Sequence, residues 1–109
     1  MNVEVKNGKV YNEEGEVAVL ISYGYGAGWS TWGAGEDGLF TPEVVLALIN
    51  GEDLTNEFLD SVYGKDAFYY GGAKGLVVEW IEEGTLFRVT EYDGAERLQI
   101  NYDLDWNVA

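Results

Sequence analysis

Histidine and cysteine are both absent from the 109 residues, so chemistry falls to twenty carboxylates, six cations and the aromatic rings. That excludes Ser-His-Asp and Cys-His nucleophilic sites and any zinc site built on His or Cys. Carboxylate pairs suited to acid–base work abound, but among twenty acids pairing by chance is expected. Glu36-Asp37 and Asp103-Leu104-Asp105 offer oxygen ligands for calcium or magnesium, yet neither resembles an EF-hand loop. Solvated surface carboxylates account for them. The expectation is a binding protein, not an enzyme, with no metal and no cofactor.

Recognition chemistry is concentrated in two stretches that mix glycine with aromatic residues. The first, YGYGAGWSTWGAGEDG at 23–38, carries Tyr23, Tyr25, Trp29 and Trp32 among six glycines. The second, GKDAFYYGGAKG at 64–75, carries Lys65, Phe68, Tyr69, Tyr70 and Lys74. Disordered linkers lack aromatics and packed strands lack glycines; these stretches have both. No Gly-Lys-Ser/Thr follows the glycines, so this is not a P-loop. Further glycines stand where a dinucleotide fold needs a helix. Three roles fit: a ligand pocket with Trp29 and Trp32 stacking and loop amides forming an anion nest, a protein contact, or a plug closing the end of a sheet.

Charge is the most extreme feature. The net charge is −14, spread as nine acids against two bases in 1–54 and eleven against four in 55–109. An acidic body without an acidic tail repels nucleic acid and anionic membrane and attracts basic surfaces; solubility alone is the bland alternative. The turn-tip residues Glu13, Glu14, Glu16, Glu82 and Glu83 are the best candidates for an acidic partner surface. No apolar run is long enough for a membrane span, the first residues have no signal-peptide character, and a cytoplasmic setting is expected.

The elements that position these residues are signalled by turns. Asn7-Gly8, Glu14-Gly15, Glu83-Gly84 and Asp93-Gly94 each separate β-type runs. Two-residue loops pair Val5 with Val10, Val10 with Val19, Trp80 with Phe87, Val78 with Val89, Val89 with Leu98 and Phe87 with Ile100. They place Glu79 opposite Arg88 and Thr90 opposite Arg97. Val78, Trp80, Phe87, Val89, Leu98 and Ile100 then share one buried face. Strands are expected near 2–6, 9–12 and 16–22, the third central because it is nearly all apolar. Thr41 as N-cap, Pro42 at the first turn and Gly51 as the stop predict a buried helix. A second helix over 54–63 shows Leu54, Phe58 and Val62 on one face, with Gly64 as its stop. YDLDWNVA suggests an edge strand carrying Trp106. The expectation is a single α+β domain over 1–109: an antiparallel meander of about six strands, with one or two helices between two three-stranded halves.

LISYGYGAGWSTW, GTLFRVTEYDGAERL and the terminal DWNVA resemble a group of short bacteriophage and prophage proteins over most of the chain. The resemblance carries no residue roles. It implies a phage setting, in which small acidic proteins often act in counter-defence, as inhibitors of CRISPR or restriction machinery or as sponges for nucleotide signals. Two functions follow as expectations. One is an inhibitor docking on a basic, nucleic-acid-binding surface of a host protein complex in the host cytoplasm. The other is a binder of a nucleotide-like small molecule, such as a cyclic nucleotide signal, between loops 23–39 and 64–75.

Overall fold

The computed structural model describes residues 2–24, 28–100 and 107–109. Its architecture follows from strand β3, Glu16–Ser22 (EVAVLIS), whose residues from Val17 onward are all buried. A strand apolar on both faces needs cover on both. It lies inside a four-stranded antiparallel sheet of order β1-β2-β3-β4, with β1 Glu4–Lys6, β2 Lys9–Tyr11 and β4 Leu76–Glu82. Helices α1 (Pro42–Ile49) and α2 (Asn56–Tyr63) cover one face. There Val10, Ala18, Leu20, Trp29, Val44, Val45, Leu59 and Leu76 form one core cluster. A second sheet, of order β6-β5-β7, covers the other face, with β5 Leu86–Tyr92, β6 Ala95–Ile100 and β7 Asn107–Val108. Tyr11, Val17, Val19, Ile21, Leu39, Ile81, Phe87 and Ala109 pack there.

The α+β class agrees with the sequence reading, but the strands divide into two sheets instead of one meander. β4 and β5 are not paired, so the expected Trp80–Phe87, Val78–Val89 and Glu79–Arg88 pairs do not form. Val78 and Trp80 pack on the helical side of β3, while Phe87, Val89 and Leu98 pack on the other. The shared buried face is therefore wrong, and Ile100 is half exposed. The cause lies in the link. The Gly84 amide donates to Ala109 O, the Ala109 amide to Thr85 O and the Thr85 amide to Glu82 O. Thr85 O, which a continuing hairpin would pair with the Glu82 amide, is thus taken by Ala109, and the chain leaves one sheet to start the next.

Registers at the other turns divide by turn chemistry. Asn7-Gly8 and Asp93-Gly94 have positive φ at both residues, as a two-residue type I′ loop requires. They give Val5↔Val10, Val89↔Leu98, Phe87↔Ile100 and Thr90↔Arg97 as expected. At Glu14-Gly15 the partner of Tyr11 is Val17, so Val10 does not face Val19. Asn12 Oδ1 accepts from the Glu14 and Glu16 amides at 3.1 and 2.8 Å. The Asn12 amide bonds Glu16 O, closing a three-residue loop and moving the register by one.

Helix α1 ends at Gly51 as expected, with φ 73°. The Gly51 amide bonds Leu48 O and the Glu52 amide bonds Ala47 O, a Schellman arrangement. Thr41 precedes the helix but its side chain does not cap it. Its hydroxyl donates to Asp37 O and accepts from Tyr63 Oη, tying α1 to α2. Thr55 caps α2 by accepting from the Phe58 amide. Leu54, Phe58 and Val62 pack on the core beside the buried Leu59. The expected C-terminal edge strand is β7, paired with β5; Trp106, Asp103 and Asp105 lie outside the described residues, as does Tyr25.

Candidate functional site

Strands β3 and β4 run antiparallel with Ser22 opposite Leu76, and the Tyr23 amide donates to Gly75 O. Loops 23–39 and 64–75 therefore meet at one end of the sheet. Their junction is built around Glu96, a side chain with no solvent exposure. Glu96 Oε1 accepts from the Ser22 amide at 2.9 Å. Oε2 accepts from the Trp29 amide at 2.7 Å, the Thr31 amide at 3.0 Å and Thr31 Oγ1 at 2.7 Å. A buried carboxylate is tolerated only with such a set of donors. The loop does form an anion nest, and the chain's own glutamate fills it.

Trp29 is fully buried. It meets Phe68 edge-on at 5.2 Å and Tyr63 at 6.0 Å; Phe68 in turn meets Tyr63 and Tyr70 at 5.1 and 5.0 Å. The absence of a side chain at residue 33 permits this contact, since a Cβ there would lie 2.7 Å from Phe68 Cβ. Among the described residues Trp29 Nε1 finds no acceptor in full hydrogen-bond geometry, and the Tyr63 phenol is the polar group it acts on. These contacts suit a plug and leave Trp29 unavailable for stacking on a ligand.

The remaining residues of this group divide. Trp32 is 50% exposed, its indole donating to Glu91 Oε2 at 3.4 Å. Tyr23 donates to Glu79 Oε1 at 2.8 Å under the Arg97 guanidinium, 5.4 Å from the ring centre. Tyr69 is 72% exposed. With Phe68, Tyr70, Lys74, Asn56, Asp60 and Asp66 it lines a cleft of about 370 Å³. Lys65 is exposed and does not line that cleft, so the two lysines are not brought together in it. Tyr70 donates to Asp60 Oδ1 at 2.7 Å, which also accepts from the Asp66 amide.

Two of these phenols titrate late. The hydrogen bond to Asp60 pushes Tyr70 up to about 12, and burial, then the bond to Glu79, pushes Tyr23 up to about 12. The neutral phenol is the donor in both, so the folded pKa exceeds the ordinary 10.0. Their contribution to stability is complete below about pH 10 and fades as pH rises towards 12. In tyrosinate absorbance titrations, Tyr70→Phe and Tyr23→Phe should each remove one step near 12. Loss of a step near 10 instead would contradict these bonds.

The acidic candidates gather at the other end of the same strands. Glu16 and Glu82 are direct cross-strand partners. This brings the turn carrying Glu13 and Glu14 beside Glu82 and Glu83, roughly 20 Å along β3 from Ser22 at ~3.3 Å per residue. Glu13, Glu14, Glu82 and Glu83 are exposed and Glu16 partly so. Glu16 accepts from Asn12 Nδ2 at 2.9 Å. Tyr11 donates to Glu83, and that bond, with burial, raises the phenol above its usual range. The nearby cations are engaged by rings: Lys6 lies 4.6 Å from the centre of Tyr11 and Lys9 4.7 Å from that of Phe40. Like charges directly opposed across a sheet are destabilising, and this sheet keeps such a pair at its tip.

Glu96 was missed by reading residue types alone. The signal was present in the Asp93-Gly94 register. It sets Glu96 on the face of Phe87, Val89 and Leu98, where a solvated carboxylate does not belong, while Glu91 opposite it is exposed. Among the described residues no acidic cluster is arranged to hold a metal ion, and no helix is long and apolar enough to cross a membrane. Comparison with known proteins finds no matching family model, no similar curated protein and no similar solved structure.

Proposed function

We propose that this is a small acidic binding protein of phage type, acting in the host cytoplasm as a counter-defence inhibitor. It docks the Glu13/Glu14/Glu16/Glu82/Glu83 end of its first sheet on a basic, nucleic-acid-binding surface of a host protein complex. The observation that carries this reading is the Glu16–Glu82 pair, which joins two acidic turns into one cluster. Placed in a basic groove, the cluster substitutes for phosphates and excludes nucleic acid. Opposite charge speeds encounter, with association reaching ~10⁸–10⁹ M⁻¹s⁻¹ at low salt for steered pairs. The chain performs no chemistry in this role.

The second reading, a binder of a nucleotide-like small molecule, is favoured by the cleft carrying Tyr69, Tyr70 and Lys74. Stacking on exposed aromatics contributes ~1–3 kcal/mol per base. Against it, Asp60 and Asp66 line the same cleft and repel phosphate, and the loop's amide nest already holds Glu96.

Stopped-flow association with the partner tests the first reading. Glu13→Lys/Glu14→Lys/Glu82→Lys should fold normally, because exposed charges away from special features contribute little to stability. Its association rate should fall at least tenfold at low salt and lose most of its salt dependence. An unchanged rate at both low and high salt would remove the docking site from these turns.

A further inference from the structure

Among the described residues β4 ends the first sheet with one side unpaired, and only Glu79 and Glu82 guard that edge. Natural sheets protect edges with short strands, charged side chains (lysine above all), prolines or bulges. At the opposite edge β1 is three residues long and carries Lys6. β4 runs seven residues, Leu-Val-Val-Glu-Trp-Ile-Glu, in unbroken register with β3, without lysine, proline or bulge. Among the described residues it pairs with β3 alone.

The phase of the ladder identifies the open groups. Because the Tyr23 amide bonds Gly75 O, alternation makes Leu76, Val78, Trp80 and Glu82 the residues whose backbone groups point away from β3. The Leu76 amide is taken by Ala73 O, and Glu82 O by the Thr85 amide. Among the described residues the open row is Leu76 O, both groups of Val78, both groups of Trp80 and the Glu82 amide. It matches a strand of about five residues. Beside it Val77 is 40% exposed.

We infer that this edge takes an extended cationic segment of the partner as a fifth strand. The inference rests on the docking reading above and specifies the element docked. Charge selects the occupant. From Leu76 to Phe87 the chain has three glutamates, Glu79, Glu82 and Glu83, and no basic residue, and the strand runs directly into the acidic tip at Glu82. A second copy is the wrong partner. Each copy carries −14, and the antiparallel register that pairs Val78 with Trp80 across two β4 edges sets Glu79 opposite Glu79, where like charges oppose association. A basic strand instead gains main-chain hydrogen bonds from the edge and specificity from alternate side chains, the mode of strand addition.

The test uses the full chain and two capped octapeptides of alternating lysine and valine, one normal and one methylated on all its central backbone nitrogens. The two have equal charge, and only the first donates ladder hydrogen bonds. The normal peptide should bind at least tenfold tighter, slow hydrogen exchange at the Val78 and Trp80 amides, and lose tenfold in affinity to Val77→Lys. Equal affinities for the two peptides, or no binding of either, would overturn the edge pairing. So would a dimer of the free protein in sedimentation with those amides already protected. Failure here is separable from failure of the docking reading. If the peptides bind alike while the triple lysine variant still loses partner association, docking at the acidic tip stands and strand addition falls. If the peptides differ as expected while the triple variant associates normally, the edge stands and the tip falls.

Discussion

Glu96→Ala is expected to destabilise the protein by ~3–6 kcal/mol in urea unfolding, the largest effect of any single carboxylate. The substitution strands the Ser22, Trp29 and Thr31 amides and the Thr31 hydroxyl. A buried donor left without a partner costs ~1–3 kcal/mol, and water entering the gap recovers part of it. Against a total stability of ~5–15 kcal/mol this is close to unfolding. Glu96→Gln is the sharper variant, since it preserves shape and one acceptor oxygen. Its amide group nevertheless turns N–H towards a donor, whichever way it lies. It should cost ~2–3 kcal/mol, within the range for hydrogen bonds to charged groups. A loss under ~1 kcal/mol for either variant would mean that loop 23–39 is not held by this carboxylate.

Trp29→Ala is expected to cost ~3–5 kcal/mol, the range for removing a buried large aromatic. Its ring joins Tyr63 and Phe68, so the cavity opens where α2 and both loops meet. Trp29→Phe should cost clearly less. It loses volume but also removes a buried indole N–H that has no partner in full hydrogen-bond geometry among the described residues, a group whose desolvation opposes folding. Equal losses from Ala and Phe in calorimetric or urea unfolding would show that the indole nitrogen is bonded in solution. A Trp29→Ala protein of wild-type stability would contradict the plug outright.

How far these features were legible depends on the range of the interaction behind each. Asn7-Gly8 and Asp93-Gly94 set their registers because both residues of each pair take positive φ, a property of those two residues alone. Glu14-Gly15 misled because Asn12, two residues upstream, bonds the Glu14 and Glu16 amides and lengthens the loop. Glu83-Gly84 misled for a longer-range reason: the C-terminal Ala109 takes the turn's backbone groups, and no local signal announces that. The sequence of β3 did contain the correction, since a strand apolar on both faces cannot be covered by a single meander. At the candidate sites, exposure of the acidic turn tips was legible from turn chemistry. Their meeting was not, because Glu16 and Glu82 are joined only by β3–β4 pairing across the intervening helices. Glu96 was within reach of the hairpin register. Its partners in loop 23–39 were not, because a glycine-rich segment has no periodicity from which to read contacts.

The central claim, that function resides at the acidic tip and the glycine–aromatic end is structural, is tested most directly by competition for nucleic acid. The displacement of labelled nucleic acid from the host complex would be measured for wild type, for Glu13→Lys/Glu14→Lys/Glu82→Lys and for Trp32→Ala/Tyr69→Ala. The last two substitutions fall on exposed rings outside the plug. The lysine variant should need at least tenfold more protein for half-displacement, and the aromatic variant should match wild type. The reverse result, with the lysine variant fully active and the aromatic variant inactive, would contradict the account and move the working surface to the other end of the sheet.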